Sequence, residues 1–456
     1  MNIAHTRYLA VATLLAATFF IFPIPHTVAL RNLFLLMLIG MLVYLRREEG
    51  PVAKGSVAPL HNVEIRMLGI LTLWMFVQTS LWAVDKAFSF EEFTREWVGT
   101  LFVAWLGYAT TRRMSTNAPV YVGGLPAWIA IALFAHAGWL LVFQATHWAQ
   151  TGHYALGSTP YGDYSVLSTS INMAFALLIA DLTVRWKSSS KLFPWSIWVT
   201  RALFLVTAIA VVAVKARNGV ITVAVVLTLL TALLAWREHT RWQSNRGMLV
   251  GLVALMLAAS IFVINFKTDP RWATFVETIP IALDTQSHKA WLDKQQYPLS
   301  TLPSGEQADS SAYDRLAWGK IALEGIASQP QGYGYGLGGF GRYIEERYGV
   351  TGFVSSHSGI LDFTLANGLL GLLLLLIFCA LLFRQGWLAW TAGNPWGLAL
   401  MLILTNYFVR ILLDGHFGSY RLKMVALLLG ILYGLAIWPQ QTTTTSELPL
   451  GHKNTS

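Results

Sequence analysis

Twelve apolar windows recur along this chain, at about residues 8–22, 28–45, 67–84, 97–110, 126–145, 166–184, 198–214, 219–236, 248–265, 359–383, 396–413 and 422–438. Each approaches the roughly 20 residues that an α-helix needs to cross the hydrocarbon of a bilayer. Of 456 residues, 55% are hydrophobic and only 12% are charged, which leaves too little polar surface for a soluble Rossmann, barrel or sandwich fold. The expectation is an all-α polytopic membrane protein of about twelve transmembrane helices. The 19 tryptophans suit interfacial belts. The first window follows His5 and Arg7 and precedes Pro23 and Pro25 without a small-residue cleavage site, so it reads as a retained helix.

The formal charge of +9 is distributed by loop. Arg46, Arg47, Lys54 and Arg66, then Arg112 and Arg113, Arg185, Lys187 and Lys191, Arg237, Arg241 and Arg246, and Arg384 fall on alternate connections, which the positive-inside rule places in the cytoplasm. Both termini then lie inside. No basic block interleaved with aromatics is present, so nucleic acid is not an expected partner. Membrane lipids are. The single cysteine, Cys379, sits in an apolar run, which excludes an intramolecular disulfide and a cysteine-based metal site.

The run from about 197 to 236 is too long for one span, since forty helical residues extend roughly 60 Å. Two spans must meet at Lys215-Ala-Arg217-Asn-Gly219, on the outer face by charge alternation. Residues 266–358 form the one long hydrophilic insertion, also outside. The chain therefore divides into helices one to nine (1–265), an outer loop domain with amphipathic helices (266–358), helices ten to twelve (359–438) and a cytoplasmic tail (439–456). Within the loop, Asp269-Pro270 opens a helix with Trp272, Phe275, Val276 and Ile279 on one stripe, expected to lie on the membrane. Ser311-Ala-Tyr-Asp314 resembles a capping box opening a second helix that stops before Pro330, with Arg315 in its first turn. Gly332-Tyr-Gly-Tyr-Gly-Leu-Gly-Gly339 reads as a flexible stretch, a lid or an ordinary hinge, and lacks the Gly-Lys-Ser/Thr of a nucleotide loop.

Chemistry at the outer face rests on few groups. His357 follows Ser355 and Ser356, natural N-caps, and so falls in the first turn of the helix running on from Ile360. A helix N-terminus disfavours imidazolium and keeps the ring in the neutral form a general base requires; the alternative is an interfacial histidine bonded to a headgroup. Arg217 needs an anion or a polar cavity unless it snorkels to lipid. Lys215 either snorkels or supports it. Arg315 at a helix start calls for a compensating anion, such as a pyrophosphate or adjacent Asp314. Arg410, Asp414 and His416 form a polar cluster near the outer end of the eleventh span, and Tyr161-Gly-Asp-Tyr164 either contacts sugar or is a plain aromatic loop. No metal-binding motif and no Gly-x-Ser-x-Gly elbow appears, so neither a metal nor another cofactor is expected.

Over residues 200–385 these pieces resemble the O-antigen ligase family of bacterial envelope glycosyltransferases. That family shares its motif region with O-antigen polymerases and protein O-oligosaccharyltransferases. The resemblance is carried by Arg217 in the outer turn, Arg315 with Trp318, Pro330-Gln-Gly-Tyr-Gly-Tyr-Gly, and His357 through Gly371 in HSGILDFTLANGLLG. Asn218 stands where the family often has glycine and Ser358 where asparagine is frequent. The resemblance implies a GT-C-like enzyme of the bacterial inner membrane with a periplasmic loop domain. It implies transfer of a preassembled glycan from undecaprenyl pyrophosphate to a lipid A core hydroxyl, without metal or nucleotide sugar. His357 would be the base, Arg217 and Arg315 would hold the pyrophosphate, and Lys215, Arg410, Asp414 and His416 would line the site. The rival from another class, a twelve-span transporter, needs intramembrane acids, and Asp181 near a cytoplasmic end is the clearest of few candidates.

Overall fold

Each of the twelve apolar windows falls on a helix. A computed structural model describes residues 3–47, 62–117, 123–155, 159–161, 164–187, 190–241, 245–269, 271–329, 332–415 and 419–438. The first helices are α1 (Ile3–Ile21), α2 (Val28–Arg47), α3 (Val63–Leu81) and α4 (Lys86–Glu92), which continues through a π-helical turn, Phe93–Val98, into α5 (Gly99–Asn117). Next come α6 (Leu125–Thr151), α7 (Tyr164–Lys187), α8 (Ile197–Ala213), α9 (Arg217–Arg241) and α10 (Asn245–Thr268). The hydrophilic insertion supplies α11 (Arg271–Leu283), α12 (Ser310–Ser328) and α13 (Gly339–Tyr348). The chain closes with α14 (Gly359–Thr391), α15 (Trp396–Leu413) and α16 (Ser419–Ala436). Among the described residues there is no strand, only a bridge between Thr301 and Gln307.

Seven of these helices (α2, α6, α7, α9, α10, α14 and α15) are long and apolar enough to cross a membrane. The other windows fall on shorter helices, such as α8, or on helices with polar interruptions, such as α5 with Thr110 to Arg113. The chain is a multi-pass membrane protein. Helices α7 and α15 are buried along most of their length and form the centre of the bundle. Leu36 and Met37 on α2, Leu252, Val253 and Met256 on α10, and Leu369 and Leu373 on α14 are exposed, as expected of faces that meet lipid. Helices α5 and α16 touch backbone to backbone: a Cβ on Gly107 would stand 2.3 Å from the Leu427 carbonyl oxygen, and one on Gly430 2.1 Å from that of Ala104.

Helix α14 is broken at Gly368, where φ is 69° and ψ 179°, a conformation open essentially to glycine alone. The break releases carbonyls that hydrocarbon cannot satisfy. They are taken up by the glycine-rich stretch: the amides of Tyr335 and Gly336 donate to Leu365 and Ala366 (2.8 and 3.0 Å), the Gln329 amide group also reaches Leu365 (3.0 Å), and the Trp74 indole reaches Asn367 (2.9 Å). The backbones come so close that a Cβ on Gly334 would lie 2.3 Å from the Ala366 oxygen. The glycine run is thus not the flexible lid or hinge expected from composition. It is docked, and its glycines permit contact with a discontinuous helix.

Three helix starts also differ from expectation. Helix α12 is capped by Asp309, whose carboxylate accepts from the Ala312 amide, and not by Ser311, because the aspartate oxygen is the better-placed acceptor; Arg315 consequently lies in the second turn. Helix α14 is capped by Ser358, which leaves His357 just outside it. Helix α9 begins at Arg217 itself. Helix α13 has no counterpart in the sequence reading, since its start is hidden in the glycine run. The insertion has its own core, in which Trp291, Tyr313, Ile321, Phe340 and Ile344 pack with Leu365 of α14.

A Gly368→Ala substitution should therefore cost at least about 1–3 kcal/mol from backbone strain alone. A Cβ there would also stand 2.1 Å from the Gly332 oxygen. Thermal unfolding of the detergent-solubilised variant checks this, and an unchanged melting temperature would contradict the account of the break.

Candidate functional site

One face of α12 and the segment leading into α14 meet at the loop-domain end of the bundle. Arg315 and Trp318 are three residues apart and share that face. The Trp318 ring stacks on the His357 imidazole, with centroids 5.1 Å apart and planes at 15°. The indole is held by its N–H to the Trp291 carbonyl (2.9 Å) and by an edge-on contact with Phe353. His357 itself has φ 60°, an uncommon conformation for a residue with a side chain. Its amide donates to Ser355 Oγ (3.0 Å), and Ser355 in turn donates to Asp362 (2.7 Å), which also accepts from the Ser356 amide (2.8 Å). The serines expected to cap the helix instead shape the loop that carries the imidazole.

Three causes hold His357 below the ordinary histidine range. Burial is the largest, and the positive charges of Arg315 and Lys294 add to it; Asp414 and Asp314 act in the opposite direction. The neutral ring therefore predominates at pH 7.

Arg315 is half-buried and makes no hydrogen bond or ion pair among the described residues. Adjacent Asp314, its obvious partner from sequence, turns to Lys294 and lies 2.5 Å from it. The other cations around this end are engaged. Arg217, only 8% exposed, pairs with Asp309 at 3.0 Å, and its guanidinium lies over the rings of Trp272 and Phe275. A buried arginine at a helix start is doubly unfavourable, against both desolvation and the helix dipole, and Asp309 offsets both. Because Asp309 is also the cap of α12, this pair joins α9 to the helix that bears Arg315. Lys215 donates to the Thr268 carbonyl at the end of α10 (3.0 Å), which is helix capping; burial lowers its pKa from the ordinary value, and the Asp269 and Arg271 charges beside it act in opposite directions. Arg271 pairs with Asp269 at 2.6 Å and reaches the Lys215 carbonyl, so Lys215 faces α10 and α11.

Arg410 and Asp414 sit beneath this layer. The fully buried Arg410 guanidinium donates to Ser165 and Ser168 (2.9–3.3 Å) and lies 3.6 Å from Asp414. Asp414 accepts from Ser165 Oγ and Asn218 Nδ2 (2.6 and 2.7 Å), and its carbonyl accepts from the Gly359 amide. It thereby ties the His357 segment to the residue beside Arg217. His416, Gly162 and Asp163 lie outside the described residues. Tyr161 turns inward to His136, with 2.9 Å between its hydroxyl and Nδ1. Asp181 is fully committed to Arg185, Thr200 and the Leu192 and Phe193 amides. Asp309, Trp318 and Asp362 were not singled out as site residues by the sequence reading. Asp309 has a signal as an acceptor directly before a helical stretch, and Trp318 and Asp362 lie within the motifs that carry the resemblance. Among the described residues no three His, Cys, Asp or Glu side chains are grouped to hold a metal ion.

The arrangement presents one neutral base, one uncommitted cation and an ion pair, all around the start of α12. Residues 202–376 match the family described as O-antigen ligase. This family covers O-antigen ligases, polymerases and O-oligosaccharyltransferases, which are glycosyltransferase-like enzymes acting on lipid-linked glycans. The matched region contains Arg217, Asp309, Arg315, Trp318 and His357. A comparison with curated proteins found no match.

Replacing Asp309 by Asn keeps a cap acceptor but removes the direct ion-pair partner of the buried Arg217, which should destabilise the protein by about 3 kcal/mol. Asp309→Ala should lose about 1 kcal/mol more through the missing cap. Unfolding measured on both variants distinguishes the two contributions; equal stability of Asp309→Asn and the parent would mean that the ion pair is not structural.

Proposed function

We propose that this protein is an O-antigen ligase of the bacterial inner membrane. It would transfer a preassembled glycan from undecaprenyl pyrophosphate to a sugar hydroxyl of the lipid A core, at the periplasmic face. The observation that carries this reading is a half-buried arginine without a partner among the described residues, next to an imidazole held neutral. A base alone would serve many reactions. A base beside a cation awaiting an anion suits a reaction that deprotonates a hydroxyl and expels a phosphate.

In the proposed reaction His357 takes the proton from the acceptor hydroxyl as its oxygen bonds to the anomeric carbon. The bond from that carbon to the phosphate oxygen breaks, and its electron pair leaves with the pyrophosphate, so configuration inverts. Arg315 neutralises the charge that grows on the leaving group, a fixed interaction of the kind that commonly lowers a barrier by several kcal/mol. Arg217 plays a second role: its fork is held by Asp309, so it fixes the start of α12 and adds positive potential where pyrophosphate would sit. The sugar–pyrophosphate bond is already activated, so no nucleotide is consumed. Lys215, Arg410 and Asp414 support the walls of this site and do not touch substrate. Asp181, the acid that a transporter reading would need, is occupied as a structural acceptor, which favours the transferase.

The test uses purified protein, lipid-linked glycan and lipid A core, with EDTA present. Transfer onto the core is expected; lengthening of the carrier-linked glycan would make the protein a polymerase, and absence of both would overturn the reading. His357→Asn, chosen because asparagine tolerates positive φ, should abolish transfer while the protein remains folded, and near-normal turnover would remove the assigned base. Arg315→Gln should reduce kcat by on the order of a hundredfold.

The pH dependence has a definite sign. With the His357 pKa depressed, activity should persist as pH falls below about 6.5 and be lost only when the ring protonates at lower pH. In Arg315→Gln the second cause of the depression disappears, so the acid limb should move to higher pH. A limb that stays in place or moves down would show that Arg315 does not face the imidazole.

A further inference from the structure

Helix α12 has a second polar flank. Glu324 and Ser328 lie about half a helical turn around from Arg315, and they border a half-open cavity of about 1030 Å³ between α12, α13, residues 285–297 and the end of α3. We infer that this cavity binds two or three uncharged pyranose rings of a glycan chain, and so serves as a glycan subsite apart from the reacting groups. The inference rests on the transferase reading and adds to it where the sugar chain is held.

Three properties point to sugar. The cavity is at the upper end of the 300–1,000 Å³ typical of ligand pockets, so it is roomier than a single ring needs. Its walls carry exposed aromatic surface: Trp82, 38% exposed, stacks with Tyr333 at 4.5 Å, and Tyr297 stands on the loop opposite. Flat aromatic faces suit the C–H faces of pyranoses. Its charges balance, Lys289 and Arg347 against Glu324 and Glu346, which disfavours a polyphosphate or polyanionic chain. The polar and charged rim also makes it a poor site for a lipid tail.

Position links the cavity to the proposed reaction. Trp291 lines it, and the carbonyl of Trp291 holds the indole of Trp318, which stacks on His357. One layer of side chains separates the two sites. Sugars remote from the anomeric carbon, or the sugars of the acceptor, would rest here while reaction occurs on the other flank.

The test uses full-length protein in nanodiscs and, as probe, oligosaccharide released by mild acid from the lipid-linked glycan of the producing cells. Saturation-transfer NMR should show ring-proton contact in the parent protein and in His357→Asn. The signal should fall at least about fivefold in Trp82→Leu and in Tyr297→Leu, which lie on separate walls, each checked by its melting curve. No contact in the parent protein, or undiminished contact in both folded variants, overturns the inference. Failure of the transferase reading has a different signature: probe binding with no transfer. Kinetics identify the source of the sugar. A raised KM for long-chain but not single-unit donor assigns the subsite to the donor, and a raised KM for acceptor assigns it to the acceptor. Unchanged KM for both, in variants that retain the parent fold, counts against it.

Discussion

Inside hydrocarbon, a polar group must find its partner within the chain, and that requirement organises this molecule. Arg410 is fully buried yet surrounded by Ser165, Ser168 and Asp414. Asp414 extends the same network, through its carboxylate to Asn218 and through its backbone carbonyl to the Gly359 amide, so three separated segments are joined at one residue. The carbonyls released where α14 breaks are met by a loop about thirty residues earlier in sequence, and glycines let that loop approach. Against this background the state of Arg315 has meaning. Polar groups around it are engaged, while its own guanidinium has no counter-charge among the described residues.

Helix α12 joins these demands. Its start is set by Asp309, which serves at once as cap and as counter-ion to Arg217. One side packs Tyr313, Ala317 and Ile321 into the core of the insertion. A second side carries Arg315 and Trp318 to His357, and a third, with Glu324 and Ser328, faces the aromatic cavity. A shift in the helix start would rotate all three sides together. That coupling explains why an ion pair of modest intrinsic worth, after the desolvation of both partners, is placed at the first turn.

Much of the architecture was legible in the sequence, because burial in lipid imposes a length and a polarity that twenty-residue windows report directly. Helix positions in the bundle and the division of the 197–236 run follow from that one-dimensional rule, while two of the insertion's three helices are legible from capping and proline signals and α13 is not. The chemistry-bearing residue types were legible too: a histidine before an apolar run, and cations in the turn between two apolar helices and on a helix of the hydrophilic insertion. What the sequence could not state was pairing. Asp314 engages Lys294 rather than its neighbour Arg315, Lys215 caps α10, and Arg217 is claimed by an acid about ninety residues away, because each choice depends on distances that only the packed chain creates. The same holds for the glycine run, whose composition signals freedom but whose conformation is dictated by exposed carbonyls of another helix. Hydropathy is a property of each residue and survives in the linear order; partnership is a property of proximity, and folding alone decides it.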